Sequence, residues 1–128
     1  PDGLVAKLGD ALVKIDGHPV ARALKEGDSV ADFEVIETPG HTMGHLAFWR
    51  AKDRVLILGD ALFNMNPVTT IPGLREPVRV FTMDPALARE SARKLATLEP
   101  AIIGFGHGPV LRDTRKFVDF VAGLYEEK

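Results

Sequence analysis

The sequence predicts an α/β (α+β) fold with one mostly antiparallel or mixed sheet and two main helices. Short apolar runs separated by Gly, Pro and Asp turns fill the first half of the chain, which is typical of strands. Helical spacing of apolar residues follows in the second half, after clear start signals. The 128 residues, 45% hydrophobic and 27% charged, are ordinary for a globular chain and exclude collagenous and coiled-coil classes.

The strands of the first half are separated by turn dipeptides. Asp16-Gly17 favours a hairpin between two of them, and Pro39-Gly40 ends a third. The run Val-Leu-Ile-Leu at residues 55–58 lacks polar alternation, so we expect it to be buried on both faces. The predicted strands cover residues 12–15, 19–24, 33–38, 46–50 and 55–58.

The second half predicts an irregular segment, a helix, a short strand and a last helix. Three prolines would break any helix within residues 61–83. Asp84-Pro85 is a strong helix start, and Pro100 ends that helix. Residues 101–105 form a short apolar strand, and Asp113 or Thr114 caps the last helix. The apolar positions expected to face the core from the two helices are Ala88, Ala92, Leu95, Leu98, Phe117, Val118, Val121, Leu124 and Tyr125.

Charge and composition exclude several classes of function. Sixteen Lys and Arg against eighteen Asp and Glu give a net charge of -2, without the basic footprint of a nucleic-acid binder. No apolar run approaches the length of a membrane span and no leader opens the chain, so we expect no membrane partner and a cytoplasmic location. The chain contains no cysteine, which leaves four His and the carboxylates as possible metal ligands.

Three predicted strands end in a polar residue flanked by glycine. These residues are His41, Asp60 and His107, and strand ends of this kind can converge at one sheet edge. Imidazole and carboxylate groups bind zinc, iron or manganese, and such a metal can activate water. Each residue has a plainer alternative as a turn or capping residue. His45 lies four residues after His41, a spacing that would suit a pair of ligands on a helix, but Pro39, Gly40 and Gly44 argue against a helix there. We interpret His45 as a structural, hydrogen-bonded His. His18 is expected to face solvent.

Three segments together resemble the metallo-β-lactamase-fold hydrolases. These are Thr38-Pro39-Gly40-His41-Thr42-Met43-Gly44-His45, Leu58-Gly59-Asp60-Ala61-Leu62-Phe63 and Gly106-His107-Gly108. They are similar to the third, fourth and fifth metal-site motifs of that family in order, spacing and flanking strands. The resemblance implies that His41 binds a first metal, that Asp60 bridges two metals and acts in catalysis, and that His107 binds the second metal.

The resemblance also implies that the chain is half of a larger fold. The family's HxHxDH cluster has no counterpart before Gly40, where His18 is the sole histidine. We therefore expect residues 1–128 to be the C-terminal half of an αββα sandwich, with upstream sequence missing before Pro1. A complete parent domain would hold two zinc ions, with iron or manganese as alternatives. The chain alone is expected to bind metal weakly or not at all and to be inactive.

The resemblance places the 61–83 segment beside the metal site. There Phe63, Met65 and Leu74 would shape the pocket for a small-molecule substrate, although a plain surface loop explains the segment equally well. Only residues 108–128 follow His107, enough for one helix, so the glyoxalase II subfamily with its added helical domain is disfavoured.

Three hypotheses of function follow. The first is a fragment of a metal-dependent hydrolase that uses metal-bound hydroxide on an ester, thioester, lactone, amide or phosphoester. The second is a non-catalytic half-fold that pairs with another chain or forms a homodimer or larger assembly through its uncovered sheet face. The third makes the motifs relics in a non-catalytic protein.

Overall fold

The computed structural model describes residues 17–124 and has one main sheet, a small second sheet and two α-helices. The elements in chain order are β1 (Ser29–Val30), β2 (Phe33–Glu37), β3 (Leu46–Arg50), β4 (Val55–Gly59), β5 (Phe63–Met65), β6 (Pro72–Arg75), a 3₁₀-helix (Arg79–Phe81), α1 (Pro85–Ala96), β7 (Ile102–Phe105) and α2 (Thr114–Gly123). This mixed architecture, with a mostly antiparallel sheet and two helices, is the predicted fold class.

Strand direction in the main sheet brings three strand ends to one edge. The order is β1-β2-β3-β4-β7, antiparallel throughout except that β4 and β7 run parallel. Because β3 is antiparallel to both β2 and β4, the carboxyl ends of β2, β4 and β7 all lie at the same edge. We call this edge the site edge. It is where an open backbone lets loops present side chains to a ligand.

The two helices begin at the predicted positions. The Asp84 side chain accepts a hydrogen bond from the Leu87 backbone N–H at 3.0 Å, and Pro85 occupies the first turn. Asp113 stands at the N-cap of α2, where no capping bond from its side chain is found among the described residues. The Thr114 hydroxyl instead donates to the Pro100 carbonyl, which ties α2 to the segment before β7. No helix in the described part of the chain has the length and apolar character needed to cross a bilayer.

Both α-helices cover the same face of the main sheet. Trp49, Leu56 and Leu58 point from the central strands into this layer, and Phe117 of α2 is fully buried against it. Burying one such side chain stabilises the fold by about 1.5–3 kcal/mol. The remaining members of the same core are Ile36, Ala47, Ala61, Leu62, Ala92, Leu95, Ile103 and Val121.

Three expectations from the sequence need correction or lie beyond the structure. Residues 19–24 form no strand, and the partner run at residues 12–15 and Tyr125 lie outside the described residues. The central strand β4 is not buried on both faces, because Ile57 is 42% exposed while its neighbours are buried. The 61–83 segment contains no α-helix, as expected, but it is not wholly irregular, since β5 and β6 pair within it.

Candidate metal centre

The structure brings His41, Asp60 and His107 together at the site edge. His107 Nδ1 lies 2.8 Å from Asp60 Oδ1, and His41 Nε2 lies 3.9 Å from Asp60 Oδ2. Each carboxylate oxygen therefore faces a different imidazole. His41 follows β2, Asp60 follows β4 and His107 follows β7, so the parallel direction of these strands explains the convergence. The ligand roles that the resemblance implies for these residues stay predictions.

Two glycines make room for the Asp60 carboxylate. Gly59 adopts a φ of 58°, a left-handed conformation that glycine enters without strain, and the β4–β7 register shifts at this point. Gly106 donates its backbone N–H to the Gly59 carbonyl at 2.8 Å. A Cβ at Gly106 would overlap Asp60 Oδ1. The loop after β7 can therefore approach Asp60 only because residue 106 lacks a side chain.

His45 is hydrogen-bonded at both ring nitrogens, as the sequence predicted. Its Nε2 accepts from the Asp60 backbone N–H at 3.0 Å, and its Nδ1 lies 2.7 Å from the Oγ1 of the buried Thr38. Burial, with a smaller contribution from nearby His41, lowers the pKa of His45, although the Asp60 carboxylate opposes this shift. The neutral imidazole is thus favoured. His18 is exposed, in agreement with the expectation from sequence.

The Phe63 ring packs between the imidazoles of His41 and His107. Its ring centroid lies 4.4 Å from that of His107 and 6.3 Å from that of His41, the latter in an edge-on arrangement. Phe63 is only 4% exposed, so it supports these rings and offers little surface of its own. Met65 and Leu74 are partly buried, and Leu74 packs against the core. The substrate-binding role of the three residues stays a prediction.

Residues that the sequence analysis did not identify also hold the two histidines. Thr82 Oγ1 lies 3.3 Å from His41 Nδ1, and the Met83 N–H donates to the His41 carbonyl at 3.2 Å. The Asn64 backbone N–H donates to the His107 carbonyl at 2.9 Å, and its side-chain amide donates to the Pro109 carbonyl at 2.8 Å. These contacts join segments far apart in the chain. No local pattern around Thr82 or Asn64 signals them.

The donor set fits part of a metal site in its chemistry. Two imidazoles and one carboxylate suit zinc, iron and manganese alike. Within residues 17–124, however, no group of three or more His, Asp or Glu side chains is arranged to hold a metal ion by itself. His107 and Asp60 instead contact each other directly. The described residues therefore supply ligands of the right kind, but fewer than a binuclear site needs.

Comparison with protein families identifies the class of protein. Residues 7–107 match the profile of the metallo-beta-lactamase superfamily, which is most of the chain. The chain belongs to this superfamily, as the three motifs indicated. The site edge carries the same residues on which that resemblance was based.

Curated relatives agree with this assignment. The chain is 38% identical over 117 residues to the probable metallo-hydrolase YflN of Bacillus subtilis (strain 168), covering 83% of this chain and 44% of that protein. It is 31% identical over 114 residues to a hydroxyacylglutathione hydrolase of Methylobacterium sp. (strain 4-46), covering 86% of this chain and 39% of that protein. The chain thus spans less than half the length of these relatives. The match to a hydroxyacylglutathione hydrolase does not support the expectation, drawn from the few residues after His107, that glyoxalase II enzymes are disfavoured.

Solved structures share the fold. A metallo-beta-lactamase family protein from Thermus thermophilus, TTHA1429, superposes with a TM-score of 0.66 at 24% identity, over 98% of this chain and 41% of that chain. TTHA1623, solved in a di-iron-bound form, superposes with a TM-score of 0.65 at 26% identity, over 91% of this chain and 54% of that chain. The arrangement of strands and helices described above is therefore the metallo-β-lactamase fold over the matched part.

Proposed function

We propose that this chain supplies His41, Asp60 and His107 to the metal site of a hydrolase. The observation that carries the proposal is the Asp60 carboxylate, whose two oxygens face two imidazoles from different loops. Membership of the superfamily and the di-iron-bound neighbour support it. The reaction proposed is hydrolysis of an ester, thioester, lactone, amide or phosphoester of a small molecule.

The chain's own residues would orient the ligands. Asp60 lies between the two histidines, Phe63 packs against both imidazole rings, and Thr82 contacts His41 on the side away from Asp60. When bound, the metal lowers the pKa of a water ligand to about 7 and stabilises a developing oxyanion. The carboxylate and imidazoles fix where that charge is placed. This positioning is the part of catalysis that the described residues can perform.

The number of ligands limits what the 128-residue chain can do alone. Three donors fall short of a binuclear site, and the resemblance places the other ligands in an HxHxDH cluster on an N-terminal half. We therefore propose weak or no metal binding by this chain in isolation and two metal ions in a complete domain. Zinc is the metal proposed, and iron or manganese would suit the same ligands.

Replacing Asp60 in the full-length gene product tests the proposal. We expect Asp60→Asn to reduce the metal content measured by inductively coupled plasma mass spectrometry and to lower the hydrolysis rate at least about 100-fold, because an amide binds cations less well than a carboxylate. Rates would be measured on a panel containing one substrate of each bond type. Asp119→Asn, which removes an exposed carboxylate from α2, is the matched control.

Two results would contradict the proposal. The first is a full-length protein whose metal content and hydrolysis are equal in Asp60→Asn and Asp119→Asn. The second is a wild-type protein without bound metal after supply of zinc, iron and manganese, which would favour the relic hypothesis. If two metal ions bind per chain but no substrate of the panel is hydrolysed, the result would support the assigned metal ligands and contradict the proposed hydrolase activity.

A further inference from the structure

The hydrogen-bond partners of His45 determine which ring nitrogen carries its proton. A backbone N–H can only donate, so His45 Nε2, which lies 3.0 Å from the Asp60 nitrogen, is an acceptor. A neutral imidazole then carries its proton on Nδ1, from which it donates to Thr38 Oγ1 at 2.7 Å. The Thr38 hydroxyl can donate onward to the His45 carbonyl, which lies 3.4 Å away. Every donor in this chain of contacts has an acceptor.

The contact between His45 and Asp60 depends on close packing at the end of β4. A Cβ on Gly59 would lie 2.8 Å from His45 Nε2, so the imidazole occupies space that only glycine leaves open. The backbone continues into a turn in which the Ala61 N–H donates to the Leu58 carbonyl at 3.2 Å. The His45 contact therefore fixes the backbone of Asp60 at the point from which its carboxylate projects.

His45 is thereby distinguished from the histidine four residues before it. His41 faces the Asp60 carboxylate, whereas His45 faces the Asp60 main chain and uses its acceptor nitrogen there. The ring of His45 is half-buried and Thr38 is 1% exposed, so little water competes for these bonds. The segment from residue 41 to residue 45 thus places the His41 imidazole beside the Asp60 carboxylate and the His45 imidazole against the Asp60 main chain.

We propose that His45 is a positioning residue, which holds the Asp60 carboxylate between His41 and His107 through the Asp60 backbone. The Asp60 N–H fixes its Nδ1–H tautomer, and Thr38 accepts the hydrogen bond from Nδ1–H. The effect of His45 on metal binding rests on the function proposed above. The tautomer and the hold on the Asp60 backbone do not, because both are properties of the metal-free protein.

The tautomer is tested by nitrogen-15 NMR of the histidine side chains in the metal-free full-length protein at neutral pH. We expect His45 to show a protonated Nδ1 and an unprotonated Nε2. Because the Asp60 N–H fixes Nε2 as the acceptor, Thr38→Val should keep this tautomer but leave the Nδ1–H without its acceptor, and so speed hydrogen exchange of the Asp60 amide, while Thr38→Ser should keep both. An Nε2-protonated ring in the wild type would overturn the proposal.

The positioning role is tested by comparing two amides at residue 45. The Gln side chain can place an acceptor near the position of Nε2, whereas that of Asn reaches only the position of Nδ1. We expect the Asp60 amide to exchange slowly in the wild type and in His45→Gln, and faster in His45→Asn, because only the first two offer it an acceptor. Metal affinity, measured by competition with a zinc-binding dye, should fall about 10- to 100-fold in His45→Asn and be largely retained in His45→Gln.

The outcomes separate this proposal from the one on which it rests. Equal exchange and equal affinity in the two variants would overturn the positioning role, and a circular dichroism spectrum unlike the wild type in both would assign His45 to folding alone. If Asp60→Asn leaves metal binding unchanged while the tautomer and the exchange difference are observed, the metal-site proposal fails and the hold of His45 on Asp60 stands.

Discussion

At the scale of single residues, Gly106 sets how closely the loop after β7 approaches Asp60. A methyl group at this position would overlap Asp60 Oδ1 and crowd the Gly59 carbonyl carbon at 3.3 Å. The carboxylate would have to turn away from His107, whose Nδ1 it now contacts at 2.8 Å. We therefore expect Gly106→Ala to weaken zinc binding by the full-length gene product by about tenfold or more, measured by dye competition.

Gly104 provides the control for this substitution two residues earlier in the same segment. A Cβ there would meet Ile57 Cγ1 at 3.9 Å, an ordinary van der Waals distance. Gly104→Ala should therefore leave zinc affinity unchanged. Equal affinities for the Gly106→Ala and Gly104→Ala proteins would show that the Asp60 carboxylate can move without consequence for the metal.

The candidate site could be predicted from sequence where its residues follow strands. Glycine beside a polar residue at the end of an apolar run marked His41, Asp60 and His107, and strand direction alone brings them together. Thr82 and Asn64 could not be found in this way, because their contacts with the site histidines join distant segments. Hydrogen bonds of this kind depend on tertiary packing and leave no periodic signal.

At the scale of elements, the two helix starts differ in how they use aspartate. The Asp84 side chain accepts from the Leu87 N–H at 3.0 Å, whereas Asp113, also at an N-cap, makes no such bond with any described residue. We expect Asp84→Ala to lower the free energy of unfolding by about 1 kcal/mol, since one helix N–H loses its acceptor. Asp113→Ala should change it by only about a few tenths of a kcal/mol.

Urea unfolding of the 128-residue chain, followed by circular dichroism, measures the change in the free energy of unfolding that each substitution causes. The comparison is informative because the two sites share residue type and position at the helix start. A loss for Asp113→Ala as large as that for Asp84→Ala would mean that the charge near the helix end, rather than the hydrogen bond, provides the stabilisation.

Elements with strong local signals were predicted well, and those that depend on tertiary contacts were not. The Asp-Pro start of α1 and the turn-bounded strand β3 lie where the sequence placed them. The β5–β6 hairpin was missed because Pro72, which opens β6, normally argues against a strand. It is tolerated there because, among the described strands, β6 pairs with β5 alone, so one side of it needs no ladder hydrogen bonds.

At the scale of the whole molecule, the two α-helices found within residues 17–124 both cover the same face of the main sheet. On the opposite face, Val35, Phe48, Ile57 and Gly104 form a row across four adjacent strands, in which Val35 is buried, Phe48 and Gly104 are partly buried and Ile57 is exposed. Ile57 in the central strand is 42% exposed, although its strand neighbours Leu56 and Leu58 are fully buried on the helix side. The sequence predicted burial of β4 on both faces because residues 55–58 are all apolar. An apolar strand does not indicate which partner covers each of its faces.

We propose that the 128-residue chain associates with a second copy of itself through this open face, because apolar sheet surface is stabilised by removal from water. Multi-angle light scattering across the micromolar range should show a mass above that of one chain. Ile57→Glu should shift the chain toward the monomer, since association would then bury a charge. Val68→Glu, at a residue 88% exposed in the loop between β5 and β6, should leave association unchanged.

The full-length gene product distinguishes association of copies from cover by another part of the same chain. The resemblance implies that a second half of similar fold packs on this face, so there we expect Ile57→Glu to lower the free energy of unfolding, by about 1–3 kcal/mol or more, because it places a carboxylate in an interface between sheets. Urea unfolding measures this loss. A 128-residue chain that stays monomeric, together with a full-length protein that tolerates Ile57→Glu without loss, would show that this face needs no partner. Association of the short chain with a loss of stability in the long one would show that the same apolar row serves both contacts.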